Sequence, residues 1–229
     1  MTGIDAGAAR SALEWWRDAG VDVITADDAS SWLELQAKPV AAAAAASVVA
    51  EPQVTVQAAA TLEEFREMLA DRSKRLGGMH VAPVGAAEAP IMILGDRPDR
   101  TDCAEGIPFG GEAGAMIGRM LSALSIDVDY RALLEPCHRA GARIEASELD
   151  DLAKLARQHI AFVRPKLLLL FGDAAAQALI GKPLPKARGH VHHVEGVRTV
   201  VTFHPRWLLQ RPGDKALAWA DLLLLTAQE

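Results

Sequence analysis

The fold class is decided by residues 164–173, which read RPKLLLLFGD. Pro165 ends any helix before it, because proline lacks an amide hydrogen and its ring clashes inside a helix. The apolar run Leu167–Phe171 is typical of a central parallel strand that is covered on both faces. Gly172 and Asp173 then lead into an alanine-rich helix. This stretch therefore predicts a strand–turn–helix unit of an α/β domain.

Strand and helix patterns alternate on both sides of this unit. The patterns predict strands at residues 90–94, 130–135, 190–194 and 197–202, a loop at 95–111, and helices at 112–124, 147–163, 173–181 and 213–225. We predict a three-layer α/β/α sandwich with a central, mainly parallel four-stranded sheet. Ligands of such a fold meet the loops at the carboxyl ends of the strands.

The first sixty residues differ from the rest. Residues 11–20 and 31–36 predict short helices, whereas residues 38–60 are mostly alanine, valine and proline and offer few large side chains for a core. Thr61, with Glu64 three residues later, predicts the capping box of the next helix. The predicted division is a helical extension at 1–37, a linker at 38–60 and an α/β domain at 61–229.

Composition restricts the classes of function. The chain has 229 residues and a formal net charge of −6, which disfavours nucleic acid because phosphate binding depends on Lys and Arg. Basic residues and histidines are nevertheless concentrated between residues 182 and 215, so a local surface there can attract a polyanion or be a solvated face. The apolar runs are too short to cross a bilayer, and no signal-peptide pattern begins the chain. We expect a soluble, cytoplasmic, nucleoid-associated protein without a membrane partner.

The cysteines indicate neither a disulfide framework nor a metal site. Cys103 and Cys137 are the two cysteines of the chain, and no Cys-x-x-Cys or His-x-x-x-His pair is present. We expect two reduced thiols. No phosphate-loop or dinucleotide glycine pattern occurs either, which disfavours a nucleotide-binding or redox protein unrelated to DNA.

Three stretches together resemble the uracil-DNA glycosylase superfamily, in particular its bacterial and archaeal branch with an iron–sulfur cluster. They are residues 95–121, which include GDRP, GIPFGG and GRML, residues 163–181, and residues 204–222, which begin HPRWLL. Their order, spacing and element type agree with the family over residues 90–225. The resemblance implies a DNA-repair fold that removes a base after flipping it from the stack. The helical extension also resembles one that some bacterial members carry.

The resemblance implies catalytic roles for Asp102 and His204. The acid would position water or offset the cationic sugar, and His204 would donate a hydrogen bond to the uracil oxygen that gains charge. Phe109 would stack on the flipped base, with Gly95 and Gly110 also at the base site. Purely structural roles for Phe109 and His204 are the alternatives.

A DNA-contacting set is implied as well. Residues 206–208 are similar to the family's minor-groove wedge, in which an apolar side chain fills the space left by the flipped base. The implied DNA contacts are Gly111, Lys186, Arg188, Arg206, Trp207 and Leu208.

The chain departs from the family at several positions. The first motif usually reads GEAPG followed by Glu-Asp, whereas residues 95–99 read GDRPD and are followed by Asp102 and Cys103. The asparagine that reads the uracil edge is missing, since the chain contains no asparagine. Of the four thiolates that a cluster needs, only Cys137 stands at a matching position. We therefore expect no cofactor and no bound metal.

Two functions follow from this comparison. The first is a platform that binds DNA or a protein partner in repair or replication, with weakened or lost glycosylase chemistry; an accessory subunit of the bacterial clamp-loader assembly resembles the same fold without the chemistry. The second is an active glycosylase that removes uracil or another damaged base using Asp102 and His204. Either function requires that the turns around Phe109 and His204 meet at a single mouth.

Overall fold

The computed structural model describes residues 59–126 and 129–227. The two helices predicted at 11–20 and 31–36, and nearly all of the predicted linker, lie outside the described residues. The division of the chain into extension, linker and main domain therefore stays a prediction.

Helix α1, Leu62–Arg75, begins where the capping pattern predicts. Thr61 Oγ1 accepts a hydrogen bond from Glu64 N at 3.2 Å, and the Glu64 carboxylate accepts one from Ala60 N at 2.7 Å. These side chains satisfy amide groups that have no partner within the first turn of a helix. Strand β1, Met79–His80, follows and later pairs with β4, Cys137–His138, in an antiparallel two-stranded ribbon.

The main sheet has five strands in the order β3-β2-β5-β7-β6. They are β2 Ile91–Gly95, β3 Asp129–Leu133, β5 Leu167–Phe171, β6 Val191–Val194 and β7 Val197–Thr202. The first four in this order are parallel, and β6 pairs antiparallel with β7 at the edge. The parallel part of the predicted sheet is confirmed, and the sheet has five strands rather than four.

The fifth strand joins the sheet through a tight hairpin. Glu195 and Gly196 both have positive φ, 51° and 77°. Two such residues form the turn whose twist matches that of the flanking strands, so β6 folds back directly onto β7.

The helices cover both faces of the sheet. They are α2 Arg100–Glu105, α3 Gly111–Ala123, α4 Leu149–Val163, α5 Asp173–Ile180, α6 Leu184–Ala187, α7 Pro205–Gln210 and α8 Lys215–Thr226. One apolar cluster joins α1, α4 and α5 to the sheet, and a second joins α3 and α8 to its other face. The predicted three-layer architecture is confirmed.

One short helix and two helix starts differ from the sequence prediction for local reasons. The predicted loop at 95–111 contains α2, because the side chains of Asp99 and Asp102 each accept a hydrogen bond from the other's amide and start a short helix. The helices predicted from residues 147 and 213 begin at Leu149 and Lys215, each after a short 3-10 turn.

The strand order creates a crevice at the carboxyl ends of two neighbouring central strands, β2 and β5. From β2 the chain passes to β3 on one side, and from β3 it returns across β2 to β5 on the other side. The carboxyl ends of β2 and β5 therefore flank a topological switch point, where open α/β sheets bind ligands. Among the described helices, none combines the length and apolar character needed to span a membrane.

Candidate functional site

A cavity of about 580 Å³ lies at the carboxyl ends of β2, β5 and β7. Its lining includes Asp96, Gly172, Pro183, Phe203, His204 and Trp207. This volume falls within the range of small-molecule sites, about 300–1,000 Å³. The sheet thus places an acid, a histidine and an exposed aromatic ring around one opening.

Asp96 is the first residue after β2, and its partly buried carboxylate lies against Gly172. Its Oδ1 accepts a hydrogen bond from Ala175 N at 2.7 Å, at the beginning of α5. A Cβ atom on Gly172 would collide with the Asp96 carboxylate, so the close approach requires glycine. Burial raises the Asp96 pKa to about 6, against the lowering effect of the backbone hydrogen bonds. The carboxyl group therefore changes its protonation state close to neutral pH.

His204 follows β7, and its partly buried imidazole is neutral at neutral pH. Burial, with the nearby Arg206 charge as the second cause, lowers the His204 pKa to about 3. Nδ1 lies 3.2 Å from Arg206 N and 3.3 Å from Arg206 Nε, and Nε2 lies 3.2 Å from Arg206 Nη2. A neutral imidazole has one acceptor nitrogen, so donors of Arg206 face both the acceptor and the N–H of this ring. Both ring nitrogens of His204 are therefore in contact with Arg206.

The Arg206 guanidinium is turned inward, toward the first-motif loop. Nη1 forms an ion pair with Asp99 at 2.7 Å and lies 3.8 Å from Asp102 Oδ2, while Nη2 donates to Arg97 O at 3.0 Å. These contacts connect α7 to the segment between β2 and α2. Most donors of Arg206 are thus directed at protein acceptors.

Phe109 and His204 meet, as the two predicted turns require. Their ring centroids are 5.6 Å apart, and the Phe109 ring also packs edge-on against Phe171 at 5.8 Å. Phe109 is only 1 % exposed. A base can stack on Phe109 only at an open face of its ring, and a ring that is almost fully buried leaves almost no face open. In this conformation the two side chains pack on each other.

Asp102 supports the turn that carries Phe109. Oδ1 accepts a hydrogen bond from Gly110 N at 2.7 Å, and Oδ2 accepts one from Asp99 N at 3.0 Å. Burial is the largest influence on the Asp102 pKa and raises it. The carboxylate is not among the groups that line the cavity.

The glycines near Phe109 are explained by close packing and by turn geometry. A Cβ on Gly95 would lie 2.7 Å from Phe109 Cζ, so glycine at the end of β2 gives the ring its place. Gly111 has a φ of 59°, and its amide donates to Glu105 Oε2 at 3.0 Å. Gly110 is the N-cap residue of α3.

Comparison with known proteins decides the family. The model of the uracil DNA glycosylase superfamily matches residues 82–223. The chain belongs to the uracil DNA glycosylase superfamily. It is 28% identical over 149 residues to a type-4 uracil-DNA glycosylase of Archaeoglobus fulgidus, an alignment that covers 58% of this chain and 73% of that protein. The type-4 enzyme of Pyrobaculum aerophilum is 24% identical over 61% of this chain and 78% of its own length.

The iron–sulfur cluster of the branch that this superfamily member resembles does not fit the residues present. The chain has two cysteines, and no group of three His, Cys, Asp or Glu side chains suited to a metal occurs within the described ranges 59–126 and 129–227. The buried Cys137 Sγ lies against Gly78 and donates weakly to Ser73 O at 3.7 Å. An ion pair between Arg72 and Glu135, 2.9 Å long, connects α1 with the segment before Cys137.

The predicted DNA-contacting residues of this superfamily member differ in exposure: some are at the surface, and others are buried or held by hydrogen bonds within the protein. Lys186 on α6 is exposed, whereas Arg188 forms two hydrogen bonds to the buried Asp221, at 3.0 and 3.1 Å. Leu208 is 1 % exposed and packs in the core, so it does not project as a wedge. Trp207 is exposed at the cavity, with its Nε1 donating to Asp214 at 2.8 Å.

Asp96 is the site residue that sequence reasoning missed. The first motif drew attention to Asp102, whose carboxylate holds the loop, whereas Asp96 lines the cavity. Its place directly after a buried central strand was the available signal, because that place lies at the ligand-binding edge of the sheet.

Proposed function

We propose that this protein binds DNA and holds an unpaired or everted nucleotide at the cavity, with glycosylase chemistry that is weaker than that of its type-4 relatives or lost. The close packing of Phe109 on His204, 5.6 Å between centroids, carries the proposal. A base can stack on the buried Phe109 ring only if neighbouring groups such as His204 move away from it, and such a change costs free energy that an open pocket does not require.

The Arg206 contacts support the same proposal. His204 meets donors of Arg206 at both ring nitrogens, so a ligand oxygen that needs the imidazole N–H must displace the guanidinium. Arg206 is itself fixed by Asp99 and by Arg97 O. Selective recognition of uracil is also difficult without an amide: the end of β3 presents Leu133, which is buried beside Gly95.

Excision of a base with Asp96 and His204 is the second candidate function. Asp96 lines the cavity, and a carboxyl group with a pKa of about 6 is divided between acid and base forms near neutral pH. The protonated form donates to a carbonyl oxygen, and the ionised form activates water or offsets a cationic sugar. This candidate reassigns the acid role from Asp102 to Asp96.

A single-turnover assay tests the two candidates. Excess protein is incubated with single- and double-stranded oligonucleotides that carry one uracil, and abasic product and DNA retention at low salt are both measured. The platform predicts retention without abasic product. Abasic product that falls by about a hundredfold or more in both His204→Ala and Asp96→Asn would establish the enzyme instead.

Two further variants sharpen the assay. Arg206→Ala removes the guanidinium donors that face both ring nitrogens of His204 and leaves the backbone N–H at Nδ1, so any residual excision is expected to rise relative to the unmodified chain. Asp150→Asn changes an exposed carboxylate on α4 and is the matched control, with no change expected in binding or product. If the protein neither retains DNA nor forms product, the proposal is wrong and a protein partner becomes the function to test.

A further inference from the structure

A second groove lies on the other side of α7 from the cavity. Its lining consists of Met116, Arg119, Met120, Leu208, Lys215 and Trp219, from α3, α7 and α8, and its volume is about 310 Å³. Consecutive residues of α7 face the two openings, since Trp207 lines the cavity and Leu208 lines the groove. One short helix, α7, therefore separates the groove from the cavity.

The groove combines an exposed aromatic ring with cations that have no partner. Trp219 is 39 % exposed. Arg119 and Lys215 make no ion pair or side-chain hydrogen bond with any residue in 59–126 and 129–227. None of the side chains that line the groove is a carboxylate.

This combination matches the chemistry of single-stranded nucleic acid. A base offers an aromatic face that stacks on tryptophan without regard to sequence, and the backbone offers phosphates to Arg and Lys. The apolar floor of Met116 and Leu208 suits an unpaired base.

We propose that this groove, called here the Trp219 groove, binds single-stranded DNA that flanks the nucleotide in the cavity. A base stacks on Trp219, and Arg119 and Lys215 contact the adjacent phosphates. The inference rests on the proposed function for its ligand, DNA, and adds the path of the strand across α7.

Fluorescence anisotropy with a labelled oligothymidylate of about 12 nucleotides tests the proposal directly and needs no catalysis. Trp219→Ala is expected to raise the Kd by roughly 5- to 100-fold, and Trp219→Phe, which keeps a stacking ring, by much less. Replacing both Arg119 and Lys215 with alanine is expected to reduce the slope of log K against log salt by about 1.4, or about 0.7 for each phosphate contact.

Matched controls separate this surface from general effects. Leu217→Ala removes another exposed apolar side chain of α8, one that does not line the groove, and Lys166→Ala removes an exposed lysine at the amino end of β5. Both controls are expected to keep the original Kd and salt slope. Urea midpoints of all variants confirm that the fold is retained.

The outcomes distinguish the groove from the proposed function. If the unmodified chain binds the oligonucleotide and Trp219→Ala binds it equally well, the groove proposal is wrong while DNA binding stands. If the unmodified chain does not bind the oligothymidylate, the groove proposal is wrong, whereas the proposed function fails only if the uracil-containing oligonucleotides are not retained either. A Trp219→Ala variant that binds DNA normally but changes the sedimentation of the protein would assign the groove to self-association and overturn the proposal.

Discussion

At the scale of a single residue, the Asp96 carboxyl group lines the candidate site, but its ionised form lowers the stability of the fold. Its pKa of about 6 lies above the ordinary aspartate value of 3.8 because of burial, so the ionised form opposes folding above pH 6. Protonation favours the folded state as the pH falls from 6 toward 3.8. We expect Asp96→Asn to be more stable than the unmodified chain at pH 8, by about 1–2 kcal/mol, with the difference shrinking toward pH 5.

Urea unfolding at several pH values between 5 and 8 measures this difference. The asparagine oxygen retains an acceptor for Ala175 N, so the change mainly removes charge. Asp150→Asn, on the exposed face of α4, is expected to shift stability by less than about 0.5 kcal/mol. A stability difference that is the same at pH 5 and pH 8 would show that ionisation of Asp96 does not oppose folding.

At the scale of an element, helix α5 is bounded by two glycines with positive φ. Gly172 at its beginning has a φ of 103°, and Gly181 at its end has a φ of 72°. A Cβ on Gly181 meets open space, whereas one on Gly172 collides with Asp96. We expect Gly181→Ala to cost about 1 kcal/mol from backbone strain alone, and Gly172→Ala clearly more, above about 2 kcal/mol. Equal losses in urea unfolding would contradict the crowding at Asp96.

At the scale of the whole molecule, the sequence predicts the strands and helices that have a clear local pattern of apolar residues, proline and glycine. The run Leu167–Phe171 is a strand to the residue, because proline and glycine bound it and both faces of the sheet are covered. Helix α2 was missed because a six-residue helix that buries only Asp102 shows no apolar stripe. The place of Asp96 directly after β2 is a local signal, but its contact with Gly172, which follows β5, is a long-range proximity that leaves no local pattern. The catalytic role of Asp102 stays a prediction.

The stability of the whole molecule depends on acid through the buried His159 and the partly buried His204. Burial lowers the pKa of both His159 and His204 to about 3, whereas in the unfolded chain histidine titrates near 6.5. Between pH 6.5 and 3 the unfolded chain therefore binds more protons at these positions, so stability falls as the pH falls.

His159 Nε2 and Tyr130 Oη form a hydrogen bond of 2.8 Å, deep in the core. His159→Gln, which retains a hydrogen-bonding group there, is expected to flatten the pH dependence of the unfolding free energy between pH 6 and 4. The slope should fall by up to about 1.4 kcal/mol per pH unit. Urea unfolding across this range is the measurement, and an unchanged slope would mean that His159 gains its proton in the folded protein as readily as in the unfolded chain.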